Sequence, residues 1–115
     1  MANGDTIFQN ADCFHVKLQD STSATDNGVW IDTRGYSDGS ITISIATTAT
    51  VQIYGNDAPA IPAAGTHSFQ LGSDVTASTC LDLTDSPRWL KARISAWTSG
   101  AVIVTATLRR KASAS

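Results

Sequence analysis

The stretch that decides the fold runs from residue 88 to residue 109 and reads RWLKARISAWTSGAVIVTATLR. Apolar and polar side chains alternate on both sides of Thr98-Ser99-Gly100, and a period of two residues is that of a β-strand with one buried face. Gly100 can adopt the positive φ that a three-residue hairpin loop needs. The stretch therefore predicts a hairpin in which Trp97 pairs with Ala101.

One register of this hairpin sorts every side chain by polarity. The core face collects Leu90, Ala92, Ile94, Ala96, Val102, Val104, Ala106 and Leu108. The other face collects Trp89, Lys91, Arg93, Ser95, Trp97, Ala101, Ile103, Thr105, Thr107 and Arg109. A slip by one residue would bury the lysine and the arginines, so we expect these charges on the outside of the fold.

Segments of the same kind recur along the whole chain, separated by Gly, Asp, Asn, Ser or Pro, which is typical of a β-sandwich or barrel. We predict strands at 12–19, 28–36, 40–46, 50–55, 66–71, 77–83, 88–97 and 101–109. The 115 residues fit one domain. We expect an N-terminal arm at 1–10, a single antiparallel β-sandwich at 11–110 and a short tail at 111–115.

A second hairpin is predicted around Asp38-Gly39. A two-residue loop would mix Arg34 into the core face, whereas a three-residue loop, Ser37-Asp38-Gly39, pairs Tyr36 with Ser40. The second register places Val29, Ile31 and Thr33 on the face of Ile41, Ile43 and Ile45. It leaves an outward stripe made of Trp30, Asp32, Arg34 and Tyr36, which Tyr54 and Gln52 join if Ile45 pairs with Val51.

Charge and composition exclude several classes of partner. The net charge is −2, and a protein that binds nucleic acid through phosphates needs a basic face. All ten acidic residues are Asp, a residue of turns and caps. We find no targeting signal and no apolar run long enough to cross a membrane. We therefore expect folding in a reducing cytoplasm, with Cys13 and Cys80 as free thiols unless their strands lie side by side.

Catalytic and metal-binding patterns are weak in this sequence. No nucleophile elbow, phosphate loop or zinc-binding repeat occurs, so we predict that the protein is not an enzyme and carries no cofactor. Cys13 and His15 share a strand face, but two ligands alone do not make a metal site. The aspartates lack the alternating spacing of a calcium loop and are expected to act as turn formers.

The outward aromatic stripe is the feature that most suggests binding. Exposed aromatic and arginine side chains are enriched in protein interfaces, and the same rings could stack on sugars. Alternatively, Trp30 or Tyr36 folds over the sheet edge and caps the core. Trp89 and Trp97 form a second candidate surface, where a cation–π contact between Trp89 and Arg109 is expected across the predicted hairpin.

Three segments carry a resemblance to a known class of protein. These are 30–36 (WIDTRGY), 49–57 (ATVQIYGND) and 88–100 (RWLKARISAWTSG). They resemble small, jelly-roll-like β-sandwich proteins of tailed-bacteriophage particles, such as capsid decoration (cement) and head-spike or tail-associated subunits. The resemblance implies a virion structural role, frequent homotrimers and N-terminal arms that reach neighbouring subunits. It brings no catalytic residues.

The sequence and the resemblance together predict a non-enzymatic virion protein. It would decorate or stabilise the capsid, or form part of a head- or tail-associated appendage, through contacts with other virion proteins and with copies of itself. Ile7 and Phe8 in the otherwise polar arm are the expected anchor. The alternative is a carbohydrate-binding module that uses exposed Trp and Tyr side chains on one sheet face.

Overall fold

A computed structural model describes residues 6–9, 13–22, 24–33, 36, 38–63, 69–83 and 88–109. These residues form nine strands and no helix. The strands are β1 (Thr6–Gln9), β2 (Cys13–Thr22), β3 (Ile31–Asp32), β4 (Asp38–Ile45), β5 (Thr48–Asn56), β6 (Phe69–Gln70), β7 (Thr79–Leu83), β8 (Trp89–Ser99) and β9 (Val102–Arg109). Each of the eight predicted strands is present, and β1 is an additional one.

The strands form two antiparallel sheets. The five-stranded sheet has the order β1-β2-β9-β4-β7, and the four-stranded sheet has the order β3-β8-β5-β6. From β2 onward the chain changes sheet at every connection except β5 to β6. This alternation is the jelly-roll arrangement of a β-sandwich, and it confirms the predicted fold class.

The hydrophobic core lies between the sheets and follows the predicted alternation. Buried side chains include Val16, Leu18, Ile41, Ile43, Val51, Ile53, Leu90, Ala92, Ile94, Val102, Val104, Ala106 and Leu108. The apolar face of each strand therefore points where its sequence pattern indicates. Most of the favourable free energy of folding comes from this burial of aliphatic surface.

The predicted hairpin of residues 88–109 is wrong in its pairing, and its predicted faces are right along β9 and along β8 only as far as Ile94. β8 pairs with β5 and β3, whereas β9 pairs with β2 and β4. Gly100 does have a positive φ of 87°, but it turns the chain from one sheet to the other. Leu90, Ala92 and Ile94 face the predicted core residues of β9 across the sandwich, because alternation identifies the buried face of a strand and not its neighbour. Ala96 was also predicted in the core, but it is exposed.

The other predicted pairings fail for the same reason. β3 lies in the four-stranded sheet and β4 in the five-stranded sheet, so no hairpin joins them. Asp38 and Gly39 begin β4 and do not form a turn, and Ser37 lies outside the described residues. β4 and β5 also lie in different sheets, so Ile45 does not pair with Val51. Tyr36 does not pair with Ser40, which lies opposite Thr107 and Asp82.

The described part of the predicted arm is a strand. β1 pairs with β2 at the edge of the five-stranded sheet, with a register irregularity between Thr6 and Phe8. All four of its side chains are exposed. The predicted tail at 111–115 lies outside the described residues.

Both cysteines are free thiols, as expected. Cys13 lies on β2 and Cys80 on β7, and two strands separate these positions in the sheet. Among the described residues there is also no helix that is long and apolar enough to cross a membrane.

Candidate functional site

The outer face of the four-stranded sheet is covered by residues 57–63, which we call the covering loop. Trp30 donates a hydrogen bond from Nε1 to the carbonyl oxygen of Ala63 at 3.0 Å. Trp89 donates from Nε1 to the carbonyl oxygen of Ala58 at 2.9 Å. Both tryptophans point away from the core, yet they are only 5% and 7% exposed. The loop backbone therefore accepts hydrogen bonds from both indole groups, while five of the seven loop residues stay exposed to solvent.

Arg88, the residue before β8, binds the same loop through two hydrogen bonds. Its backbone N–H donates to the carboxylate of Asp57 at 3.0 Å, and its Nη1 donates to the carbonyl oxygen of Pro59 at 2.6 Å. Its Nη2 lies 3.9 Å from the carboxylate of Asp32. The guanidinium carbon lies 5.1 Å from the ring centroid of Trp89, within the range of a cation–π contact.

Lys91 is fully buried on this outer face. Its Nζ lies 4.7 Å from the ring centroid of Trp30 and 5.7 Å from that of Tyr54. Burial lowers the pKa of Lys91 to about 8, with a smaller contribution from the charge of Arg93. The two rings partly replace the water that a lysine head group normally keeps.

A line of hydrogen-bonded polar side chains, the polar row, crosses the outer face beside Lys91. Arg93 donates from Nη1 to Gln52 Oε1 at 3.0 Å, and Tyr54 donates its hydroxyl to the same oxygen at 2.7 Å. Gln52 Nε2 donates in turn to Asp74 Oδ1 at 3.0 Å. The row therefore links side chains from β8, β5 and the segment after β6.

Two further residues extend the polar row at its ends. Arg93 Nε donates to Asn27 Oδ1 at 3.3 Å, and Gln70 Nε2 donates to Asp74 Oδ1 at 2.8 Å. The hydrogen bonds from Gln70 and then from Gln52 hold the pKa of Asp74 below its ordinary value, because they stabilise the carboxylate form. At neutral pH the row thus contains one carboxylate and one guanidinium.

The predicted exposed aromatic stripe is not present. Trp30 and Trp89 are buried under the covering loop, and Lys91 is buried with them. The prediction was wrong because it treated the outer side of a strand as solvent-exposed. Asp32 is half-buried and pairs with Trp89 across β3 and β8, and Tyr54 is half-buried beside the polar row. Arg34 lies outside the described residues.

Tyr36 and Trp97 belong to the core side of the fold instead. Tyr36 packs on Phe14, with ring centroids 5.4 Å apart. Trp97 packs against the core and donates from Nε1 to the carbonyl oxygen of Gly100 at 2.7 Å. The register of β5 and β8 shifts between Thr50 and Val51, and such a bulge reverses the alternation beyond it. The predicted cation–π contact between Trp89 and Arg109 is absent, because β8 and β9 lie in different sheets.

A second candidate surface is the edge strand β1. Ile7 is 38% exposed and Phe8 is 52% exposed. Phe8 pairs with His15 across β1 and β2, which puts an aromatic ring beside an imidazole. β1 is the edge strand of the described sheet, so no described strand pairs with the outer side of its backbone.

Sequence reasoning missed the covering loop and most of the polar row. Gln52 was assigned to the outer surface, but Asn27, Gln70 and Asp74 were not linked to it. Residues 57–63, DAPAIPA, carry no local signal of their position, because the covered tryptophans bond to the backbone carbonyl groups of Ala58 and Ala63, which any residue supplies.

Metal-binding geometry is not found in the part of the chain that the structure describes. No three His, Cys or Asp side chains there converge as metal ligands would. An apolar crevice of about 180 Å³ opens between the sheets near β7. Its lining consists of Ile41, Ile53, Leu71, Gly72, Leu81, Asp82 and Leu83. One carboxylate among aliphatic side chains offers no acid–base pair.

The fold is similar to that of a prophage-derived protein of known structure. The chain superposes on the crystal structure of the SPBc2 prophage-derived protein YomS with a TM-score of 0.70. The match covers 91% of this chain and 99% of that chain, at 14% sequence identity. At this identity the match shows a common fold. No protein-family model matches the sequence, and no curated protein matches it.

Proposed function

We propose that this chain is a non-enzymatic structural protein of a bacteriophage particle. It decorates or stabilises the capsid, or forms part of a head- or tail-associated appendage, through contacts between subunits. Its partners are other virion proteins and further copies of itself, with which it forms a trimer. It folds in the host cytoplasm and ends in the virion.

The observation that carries this proposal is the edge strand β1. Ile7 and Phe8 expose apolar surface on a strand whose outer backbone groups are available for pairing. A partner strand that adds to β1 gains backbone hydrogen bonds and covers both side chains at once. An exposed edge strand of this kind supports the proposed subunit contact through Ile7 and Phe8.

A further observation supports the proposal. A prophage-derived protein shares this jelly roll over nearly its full length, which favours a phage origin. The covering loop exposes Ile61, at 63% the most exposed large apolar side chain among the described residues. Single exposed apolar side chains are common on protein surfaces, so Ile61 serves as the comparison for Ile7 and Phe8.

The experiment tests incorporation into particles. Phage lacking the chain is supplied with the wild type or with the double variant Ile7→Ser/Phe8→Ser, and purified particles are probed for the protein. We expect the double variant to fold, because both side chains are exposed, and to be lost from particles by about tenfold or more, as for removal of an interface anchor. Circular dichroism verifies the fold of each variant.

Ile61→Ser is the matched control, since it also removes an exposed apolar side chain. It should leave most of the protein on the particle. Full incorporation of the double variant would contradict the assignment to β1, and loss caused by Ile61→Ser alone would move the contact to the covering loop.

A further inference from the structure

We propose that the polar row on the four-stranded sheet is a binding site for neutral oligosaccharides. This inference goes beyond the structural role and does not depend on it. The site consists of Asn27, Arg93, Gln52, Tyr54, Asp74 and Gln70. It replaces the predicted tryptophan platform, which the covering loop closes.

The first argument is that the row is ordered before any ligand arrives. Gln52 is held at both ends, by Arg93 and Tyr54 at its oxygen and by Asp74 at its nitrogen. Side chains fixed by such a network lose little conformational entropy on binding. The row also has defined length, because it crosses from β8 over β5 to the segment beside it, about 10 Å for two strand spacings. A disaccharide is of similar length.

The second argument comes from the hydrogen-bonding groups that the row does not use. Within the described part of the chain, Asp74 Oδ2 and Gln70 Oε1 accept no hydrogen bond, and Arg93 Nη2 and Asn27 Nδ2 donate none. Acceptors therefore lie at one end of the row and donors at the other. A sugar hydroxyl both donates and accepts, so adjacent hydroxyls can satisfy both kinds of group.

The third argument selects the class of ligand. The exposed charges of the row are one carboxylate, Asp74, and one guanidinium, Arg93, whereas the Lys91 ammonium is buried against Trp30 and Tyr54. Because the exposed charges balance, the row favours a neutral ligand. A protein partner would be expected to bring an apolar centre to its interface, whereas the row is polar throughout. Tyr54 adds a half-buried ring at the margin, on which the apolar face of a sugar ring can rest.

The test begins with the wild-type protein. Fluorescently labelled protein is applied to an array of neutral and acidic oligosaccharides, and maltose, lactose and chitobiose are titrated while side-chain ¹H–¹⁵N signals are recorded. We expect neutral sugars to bind weakly and to shift the amide signals of Gln52, Gln70 and Asn27 and the Nε–H signal of Arg93 in a saturable way.

Asp74→Asn is the decisive variant. The new amide oxygen still accepts from Gln52 and Gln70, so the row persists, but the free acceptor becomes a donor. We expect at least about tenfold weaker binding, the effect of losing a hydrogen bond to a charged group. Asp82→Asn makes the same change of charge on the exposed face of β7 and should bind like the wild type.

Arg93→Gln and its control Arg109→Gln repeat the comparison at the donor end. The proposal is overturned if neither the array nor the titrations detect a neutral sugar. It is also overturned if Asp74→Asn and Arg93→Gln both bind like the wild type, which would put the sugar elsewhere. Specific capture of a protein at this face, with no sugar bound, would likewise contradict it.

Discussion

On the five-stranded sheet, outward side chains such as Thr42 and Ser44 lie exposed to solvent, whereas on the four-stranded sheet Trp30, Trp89 and Lys91 point outward and are buried. The strands of both sheets alternate in the same way, so the difference does not come from the strands. It comes from residues 57–63, which pack over one outer face. An outward position in a sheet is exposed only where no other segment covers it.

The largest expected effect is the loss of stability when a tryptophan side chain is removed from the covered face. Trp89→Ala should lower the free energy of unfolding by roughly 3–5 kcal/mol, as for a large aromatic side chain removed from a core. Thr42→Ala on the open face should change it by less than about 0.5 kcal/mol. Urea unfolding followed by circular dichroism measures both. Equal, small effects would mean that the covering loop adds little to the fold.

The second prediction concerns Lys91 and pH. Its pKa falls from 10.5 in the unfolded chain to about 8 in the folded one. Between these values the unfolded state binds the extra proton, so the free energy of unfolding should rise with pH from about 8 to 10.5, by roughly 3–4 kcal/mol at about 1.4 kcal/mol per pKa unit. Below pH 8 both states are protonated and the cost of burying the charge is fully present.

Lys91→Met isolates this contribution, because it keeps the apolar stem and removes the charge. The difference between the wild type and the variant should change across this pH range, since other titrating groups are common to both proteins. A difference that is constant from pH 7 to pH 10.5 would show that Lys91 keeps its ordinary pKa and is therefore hydrated.

The third prediction separates packing from hydrogen bonding on the covered face. Trp30→Phe retains a ring under the loop but removes the hydrogen-bond donor to Ala63. Loss of this hydrogen bond should lower the free energy of unfolding by about 1 kcal/mol, in addition to a smaller loss from packing. Trp97→Phe is the matched control, because it also removes an indole donor, but the acceptor, the carbonyl oxygen of Gly100, lies at a turn outside the covered face. Hydrogen exchange of the backbone amides at 57–63 should increase only in Trp30→Phe.

The smallest expected effect is at the exposed end of the polar row. Asp74 should titrate below the ordinary aspartate value of about 3.9, because Gln70 and Gln52 stabilise its carboxylate. Its hydrogen bonds therefore add stability above the unfolded pKa, and this contribution is lost as the pH falls through the folded pKa. Carboxyl ¹³C NMR should show a higher midpoint in Gln70→Ala and no change in Ser44→Ala. An unchanged midpoint in Gln70→Ala would disprove the hydrogen bond from Gln70 to Asp74.

Much of the fold could be predicted because alternation reports burial directly. The core faces of β4, β5, β8 and β9 and all eight expected strands are found in the structure. The pairing of strands could not be predicted, because Leu90 and Ala92 satisfy the same pattern whether β9 lies beside them or across the core. In a jelly roll, consecutive strands change sheets, so a hairpin argument based on adjacent segments fails at nearly every connection.

The candidate sites were predicted less well, and the reasons are physical. Ile7 and Phe8 were identified as an apolar pair in a polar arm, and the structure exposes both on a strand that the sequence did not predict. The burial of Trp30 depends on contacts with residues 33 positions away, which a local pattern does not contain. The position of Trp97 depends on one bulge, and a shift of one residue reverses the faces of everything beyond it.

The outer face of the four-stranded sheet is covered by residues 57–63, and indole hydrogen exchange tests this most directly. In the isolated protein at neutral pH, the Nε1–H protons of Trp30 and Trp89 should exchange at least about tenfold more slowly than in the urea-unfolded chain, since both are hydrogen-bonded and buried. Exchange as fast as in the unfolded chain would contradict the covered face. It would return the two tryptophans to the surface as an available binding platform.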